Sequence, residues 1–281
     1  MDQGSTVLQP LIDAGYEIAF LSHAEAILTH DFPHVLEEIA EVLRGLTIPI
    51  EEIIGSGGGE TKGTQRLRRG LAAKNWTKRN FRIDKTINGV PRESISHEID
   101  HVRSIPSAEE VVSSIALEIE WNNKDPFFDR DLENFKRLHA EGGISAGIIV
   151  TRGSSLQGAL PQLVRRWVDQ NSIDSHDDLE ARGVPRTKRQ RDAVLKRVNR
   201  ALNPIPFREA WTSHFIGDKF GVATTHWSKL QDRVRRGVGN PCPLLLIGIP
   251  DTTVTFGEDP RVVEKLLEEG AAELEKEAAD T

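Results

Sequence analysis

The sequence has 281 residues, 38% of them hydrophobic and 28% charged, so the chain is long enough to bury a sizeable core. It contains no apolar run of membrane-spanning length and no secretory signal, and its one cysteine, Cys242, excludes an internal disulfide. We therefore expect a cytoplasmic protein without a membrane partner.

The net charge of −7 is unevenly distributed along the chain. Residues 1–60 hold eleven acidic and one basic residue (−10), and residues 258–281 hold nine and three (−6). The middle, residues 61–257, holds 23 acidic and 32 basic residues (+9), which suits a polyanionic partner. We predict one domain over residues 1–257, composed of an acidic helical part (1–60) and a basic part (61–257), followed by an acidic helix or tail (258–281).

Two helices separated by a glycine cluster are predicted in the first third of the chain. Residues 35–43 form an amphipathic pattern that ends near Gly45, and residues 65–76 form a second helical pattern with many basic side chains. The cluster between them, residues 55–60, matches neither the Walker nor the G-x-G-x-x-G phosphate-binding pattern. We interpret Glu60 as an acidic residue at the start of the second helix, where its negative charge interacts favourably with the helix dipole.

Residues 115–124 alternate between apolar and polar, which predicts a strand with one apolar and one polar face. Glu118 and Glu120 fall on the same face, roughly 6.5 to 7 Å apart at their bases. Such a pair is either solvated at a sheet edge or accompanied by a cation. Residues 96–103 also read as a strand, and Asp100 adds a third carboxylate. Three carboxylates suit Mg²⁺, a hard cation that takes oxygen ligands and keeps waters for chemistry on phosphates.

The second half of the chain predicts further elements of an α/β fold. Residues 129–141 predict a helix that ends at two glycines, and residues 144–151 predict a buried strand that leads to Arg152. Residues 244–249 predict another buried strand. This alternation favours a central mixed sheet flanked by helices. A polar and basic loop followed by a helix includes His226.

Two other enzyme classes compete for the same residues. Residues 97–101 match H-E-x-x-H, which on a helix would place His97 and His101 on zinc with Glu98 as the general base of a peptidase. Asp100 is unusual inside that motif, and the third zinc ligand would have to come from Glu118 or Glu120. The glutamate pair would also suit a glycosidase, but aromatic residues make up only 6% of the chain, which is few for a sugar-binding cleft.

Several segments together resemble a known family. Asp100 is followed after seventeen residues by Glu118-Ile119-Glu120, and this spacing resembles the PD-(D/E)XK nucleases whose lysine is replaced in an E-x-E motif. The likeness is to type II restriction endonucleases of the BglII and BamHI type, and it spans roughly residues 16 to 250. Residues 121–125, 129–132 and 147–152 also look like that family.

The resemblance implies a restriction-endonuclease-like core and a Mg²⁺-dependent enzyme that cuts double-stranded DNA and leaves 5′-phosphate ends. Residues 1–257 would be the endonuclease domain, with the basic part catalytic and DNA-binding. Asp100, Glu118 and the carbonyl of Ile119 would hold one or two Mg²⁺ ions. Glu120 would orient or deprotonate the attacking water, and Glu60 would be a further acid near the metal.

The resemblance also implies contacts with DNA and with other proteins. The expected DNA contacts, by residue type and position, are Asn122, Asn123, Lys124, Arg152 and His226. Lys124 is alternatively a replacement for the lysine that is missing at Glu120. A homodimer would match the two strands of a palindrome, and a cognate methyltransferase would protect host DNA. A DNA-binding module without catalytic activity remains an alternative.

Overall fold

The centre of the protein is a six-stranded mixed β-sheet, as shown by a computed structural model that describes residues 3–55, 61–106 and 112–257. Numbered along the chain, its strands are β1 (Glu17–Leu21), β3 (Thr77–Ile87), β4 (Val90–Pro106), β5 (Val112–Glu120), β6 (Ala146–Arg152) and β7 (Leu244–Ile249). Two short strands, β2 (Ile48–Pro49) and β8 (Val254–Thr255), form a separate parallel pair.

The helices occur mainly before β3 and between the later strands. Before β3 they are α1 (Gln3–Asp13), α2 (Ala24–His30), α3 (Pro33–Arg44), α4 (Ile50–Ile54) and α5 (Lys62–Ala72). After β5 they are α6 (Phe127–Ala140), α7 (Ser154–Gln170), α8 (His176–Ala181), α9 (Lys188–Val198), α10 (Phe207–Lys219) and α11 (Trp227–Arg235). No helix in the described ranges combines the length and the apolar character needed to cross a membrane.

The strand order in the large sheet is β1-β7-β6-β5-β4-β3. Strands β5, β6 and β7 are parallel, whereas β1, β4 and β3 each run antiparallel to a neighbour. The crossover from β5 to β6 contains α6, as parallel strands require. The predicted α/β fold with a central mixed sheet is therefore confirmed.

The chain forms two compact units, each assembled from separate segments. The first consists of Met1–Leu46, Thr64–Ser154 and Ala223–Pro250, and it contains the whole six-stranded sheet. The second consists of Thr47–Gly63, Ser155–Val222 and Asp251–Thr281, and it contains α8, α9, α10 and the β2–β8 pair. The division into an acidic part (1–60) and a basic part (61–257) of one domain stays a prediction, and the acidic segment 258–281 lies outside the described residues.

Helix α6 packs against the sheet and covers the face on which β5 carries its glutamates. Its buried residues Phe128, Leu132, Phe135 and Leu138 join a cluster with Ala116 of β5 and apolar residues of the neighbouring strands. The helix lies very close to β6, because a Cβ at Gly147 would overlap the ring of Phe135. Removing these side chains from water contributes roughly 1.5–3 kcal/mol each.

The predicted elements around this helix are found close to their expected positions. The strand predicted over 96–103 lies inside β4, and the strand predicted over 144–151 corresponds to β6. The helix predicted over 129–141 corresponds to α6, and Gly142 follows it with a φ of 72°, as expected beyond a helix C-terminus. The strand predicted over 115–124 ends earlier, at Glu120, because the backbone bends at residues 121–123.

Candidate active site

Glu118 and Glu120 point to the same side of β5, toward α6. Although both are acidic, their exposed fractions are only 4% and 2%. They lie at the carboxyl end of β5, beyond the apolar contact that Ala116 makes with α6. The two glutamates therefore occupy a buried polar site at the edge of the core.

Asp100 lies beside Glu118 on the neighbouring strand β4. The pairing of β4 with β5 places His101 opposite Leu117, and the backbone N–H of the preceding residue, Asp100, donates a hydrogen bond to Oε1 of Glu118 at 3.3 Å. The Asp100 side chain is 58% exposed, and its Oδ1 lies 3.6 Å from Nζ of Lys78. The structure thus brings the three predicted carboxylates of residues 100, 118 and 120 together. Glu60, the fourth predicted acid, lies outside the described residues.

A further carboxylate, Asp131, belongs to this cluster and was not predicted from the sequence. It lies on α6 with an exposed fraction of 1%. Its Oδ1 accepts hydrogen bonds from Nε of Arg130 at 2.8 Å and from Nη2 at 2.7 Å, and its carboxyl group contacts that of Glu120. One signal for it was present in the sequence, because Asp131 falls at helical spacing between the inward-facing Phe128 and Phe135.

The electrostatics of the cluster favour uncharged carboxyl groups unless a cation is nearby. Burial, followed by the charges of Asp131 and Asp100, raises the pKa of Glu118 to about 9. Burial and the neighbouring Asp131 raise the pKa of Glu120 to about 8. Burial also raises the pKa of Asp131, although Arg130 opposes this shift. A bound divalent cation would favour the ionised forms.

The donor chemistry of the cluster fits a hard cation, because its members offer only carboxylate oxygens. In the described ranges, no three His, Cys, Asp or Glu side chains already surround a common cation position. One reason is visible at Asp100, whose side chain is turned toward Lys78. A cation at this site would therefore require Asp100 to exchange an ammonium partner for the metal.

The residues that follow β5 connect the carboxylates to a second loop. Asn123 is exposed, yet its Nδ2 donates to Oε2 of Glu120 at 2.7 Å. Its backbone N–H donates to Oγ1 of Thr225 at 3.1 Å, and Lys124 forms an isolated antiparallel bridge with Thr224. Lys124 is exposed and Asn122 is partly exposed. Of the three predicted DNA contacts in the loop over 121–125, Asn123 and Lys124 are therefore held in place by contacts with neighbouring residues.

The structure places Arg152 differently from the expectation of a groove-facing side chain. It is completely buried, because it leaves the end of β6 beneath the two loops. Its Nε donates to the carbonyl oxygen of Trp121 at 2.7 Å, and its Nη2 donates at 2.7 Å to both Oγ1 of Thr224 and the carbonyl of Thr225. Burial lowers the pKa of Arg152 to about 9, which leaves it charged at neutral pH. Arg152 is thus a support for both loops.

His226 follows the second loop and precedes α11. Its exposed fraction is 7%, and its Nδ1 lies 3.1 Å from Oγ of Ser228. Burial and the nearby positive charge of Arg152 lower the pKa of His226 to about 4, so the ring is neutral at physiological pH. A DNA contact by His226 stays a prediction.

The zinc peptidase interpretation is inconsistent with the structure. Residues 97–101 lie within β4 and not on a helix, so His97 and His101 are separated by four strand positions, roughly 13 Å. Burial lowers the pKa of each, and Nδ1 of His101 lies 3.3 Å from the Leu117 carbonyl oxygen. The two imidazoles therefore cannot share one zinc ion in the manner of an H-E-x-x-H helix.

Comparison with known proteins agrees with this geometry. The family model described as "Restriction endonuclease BglII/BglIII" matches residues 16–249, which include all of the described site residues and the whole central sheet. No curated protein matches the chain. The members of this family are type II site-specific deoxyribonucleases, hydrolases that bind and cut DNA at specific sequences. On the match over most of its length, together with a restriction-endonuclease-like α/β fold, the chain belongs to the BglII/BglIII family of restriction endonucleases.

Proposed function

We propose that this endonuclease uses Mg²⁺ to cut both strands of its DNA target and leaves 5′-phosphate and 3′-hydroxyl ends. The observation that carries the proposal is the hydrogen bond from the backbone N–H of Asp100 to Oε1 of Glu118, which holds Glu118 next to Asp100 on the adjacent strand and beside the buried Glu120. Burying several acidic groups together is unfavourable unless they are protonated or paired with a positive charge such as a metal ion.

The proposed Mg²⁺ ligands are the carboxylates of Asp100 and Glu118 and, by the family resemblance, the carbonyl of Ile119. One or two bound Mg²⁺ ions would supply Lewis-acid stabilisation of the charge that builds on the phosphate and a lower pKa for a water molecule. Their affinity depends on ionised carboxylates, because only the ionised oxygens bind the cation. Glu60 stays a proposed further acid of this site.

Glu120 is the proposed group that accepts the proton of the attacking water. Its Oε2 is fixed by Nδ2 of Asn123, and its Oε1 lies 3.5 Å from Nη2 of Arg130. The water oxygen forms a bond to phosphorus, the bond between phosphorus and the 3′ oxygen breaks, and the leaving 3′ oxygen takes a proton from solvent. A base must be ionised, and a bound cation would favour the ionised form of Glu120, whose pKa is raised by burial and by Asp131 in the metal-free protein.

The proposed DNA contacts are Asn122, Asn123, Lys124 and His226. The exposure of Asn123 and Lys124 next to the carboxylates supports direct contact at the cut site. Amide side chains suit base edges, and a lysine suits a phosphate. Arg152 would contribute to DNA binding through the loops that it supports.

Two proposals concern the assembly and its partners. A homodimer would present two copies of the site to the two strands of a palindrome. A cognate methyltransferase would protect the host genome from the activity. Both rest on the family to which the chain belongs.

Digestion of supercoiled plasmid tests the proposal. The wild-type protein with Mg²⁺ should give discrete fragments whose ends are substrates for ligase without prior phosphorylation. Chelation of the metal should abolish cutting while the protein still binds DNA in a mobility-shift assay. Cutting that persists with chelator would exclude the metal mechanism, and binding without any cutting would favour a DNA-binding module.

A further inference from the structure

Asp131 lies inside the carboxylate cluster, although the proposed reaction gives it no role. It comes from α6, while Glu118 and Glu120 come from β5, so only the packing of helix on sheet brings the three together. Its exposed fraction is 1%, and its carboxyl group contacts that of Glu120. An acid at such a position is costly if it serves packing alone.

The two oxygens of Asp131 have different environments. Both guanidinium contacts from Arg130, at 2.8 and 2.7 Å, go to Oδ1. Oδ2 is buried and, in the described part of the chain, receives no N–H donor; the group next to this carboxylate is the Glu120 carboxyl. Arg130 therefore orients the carboxylate with Oδ2 directed into the protein. A buried carboxylate oxygen without a donor is unfavourable by about 1–3 kcal/mol or more unless another positive partner binds it.

The neighbouring Glu120 limits which positive group could bind Oδ2 of Asp131. Glu120 already receives Nδ2 of Asn123 on Oε2, and its Oε1 is 3.5 Å from Arg130. Two carboxylates that face each other in a buried site are stable together only with a proton or a cation between them. A hard divalent cation bound to Asp131 would offset the negative charge of both groups, and such a cation binds carboxylate oxygens of several residues at once.

We propose that Asp131 is a divalent-cation ligand of the active site, and that its Oδ2 binds the same Mg²⁺ or Mn²⁺ as Asp100 and Glu118, beside the proposed base Glu120. This inference rests on the proposed function, since it adds a ligand from α6 to the cation site of β4 and β5. Arg130 is then a positioning residue that keeps Oδ1 occupied and Oδ2 free for the metal.

Cation binding without DNA tests this assignment separately from cleavage. Mn²⁺ affinity is measured by titration calorimetry for the wild type, Asp131→Asn, Glu118→Gln and a matched control, Asp129→Asn. Asp129 is on the same helix and pairs with Arg233 at 2.9 Å, away from the cluster. We expect Mn²⁺ binding about 10-fold or more weaker in Asp131→Asn and unchanged in Asp129→Asn. Without metal, Asp131→Asn should unfold at the same or a higher temperature, because a buried like charge is removed.

The possible outcomes separate the two proposals. Wild-type affinity in Asp131→Asn, with affinity lost in Glu118→Gln, would overturn the role of Asp131 and keep the proposed function. No Mn²⁺ binding by the wild type, or unchanged binding in both variants, would overturn both. If Asp131→Asn does not fold, Asp131→Ser removes the carboxylate with a smaller side chain and is judged by the same affinity criterion.

Discussion

The backbone N–H of Asp100 donates to Oε1 of Glu118 at 3.3 Å, so two carboxylate residues of neighbouring antiparallel strands are directly joined. The donor is the backbone N–H of Asp100, so this hydrogen bond does not use the Asp100 carboxylate. That side chain faces Lys78 at 3.6 Å. The site therefore combines two buried glutamates, Glu118 and Glu120, with one largely exposed carboxylate, Asp100.

Replacing the glutamates by glutamine should remove activity without loss of stability. Glu120→Gln keeps the shape of the side chain but removes the proposed base, so cleavage should fall by about 100- to 10,000-fold. Glu118→Gln should weaken the response to Mg²⁺ as well. Both variants should unfold at the wild-type temperature or above, as measured by circular dichroism, because buried acids are replaced by neutral groups.

Glu133→Gln is the matched control for these two variants. Glu133 is on α6 and pairs with Lys136 at 3.2 Å, and its side chain is 43% exposed. Its cleavage rate should equal that of the wild type. A wild-type rate in Glu120→Gln would contradict the role of this residue as the base.

The stability of the metal-free protein should decrease as pH increases. Glu118 and Glu120 have pKa values of about 9 and 8 in the folded state, against an ordinary value of 4.5. A group whose pKa is higher in the folded state stabilises the fold below the unfolded pKa, and this contribution is lost as pH rises through the folded pKa. The free energy of unfolding, measured with denaturant, should therefore fall between about pH 5 and pH 9.

Mg²⁺ should reverse this decrease at the alkaline end, because it binds only the ionised carboxylates. The double variant Glu118→Gln, Glu120→Gln should show a flatter pH dependence and no response to Mg²⁺. Stability that rises with pH in the metal-free wild type, or an equal Mg²⁺ response in the double variant, would argue against the assigned environment.

Lys78→Gln should strengthen Mg²⁺ binding. The ammonium group contacts Glu98 at 2.6 Å and lies 3.6 Å from Asp100, so it competes with a cation for the Asp100 carboxylate. Removing the charge should lower the Mg²⁺ concentration needed for half-maximal cleavage. Arg82→Gln, which removes a partner of Asp84 on the same strand, should leave that concentration unchanged. A weaker Mg²⁺ response in Lys78→Gln would indicate that the lysine supports the site instead of competing.

Arg152→Met should destabilise the loops over 121–125 and 223–225. The guanidinium makes three hydrogen bonds of 2.7 Å to these loops, so its loss should cost about 3 kcal/mol or more. Arg152→Lys keeps the charge but lacks the planar guanidinium group with its several N–H donors, so it should restore only part of the lost stability. Cleavage should slow on all targets alike. A change of sequence preference with unchanged stability would instead indicate that Arg152 reads bases.

The sequence predicted the parts of the site that depend on local periodicity. Alternation along 115–120 was enough to place Glu118 and Glu120 on one face of a strand, and apolar helical spacing was enough to predict α6. Asp131 was not predicted, since its role depends on how that helix packs on β5. The burial of Arg152 was not predicted either, because it depends on Thr224 and Thr225, more than seventy residues further along the chain.

The strand and helix interpretations of residues 97–101 also could not be separated by pattern alone. His97 and His101 satisfy a zinc motif on a helix, while Asp100 satisfies a carboxylate cluster on a strand. Pairing of β4 with β3 and β5 decides between them, and this pairing is a long-range property of the sheet.

The most direct test is a crystal of the protein with bound DNA, soaked in Mn²⁺ and measured at an X-ray energy where manganese scatters anomalously. We expect an anomalous peak about 2.0–2.3 Å from carboxylate oxygens of Asp100 and Glu118, next to a DNA phosphate. A peak at a different site, or clear density for both carboxylates with no peak between them, would contradict the account.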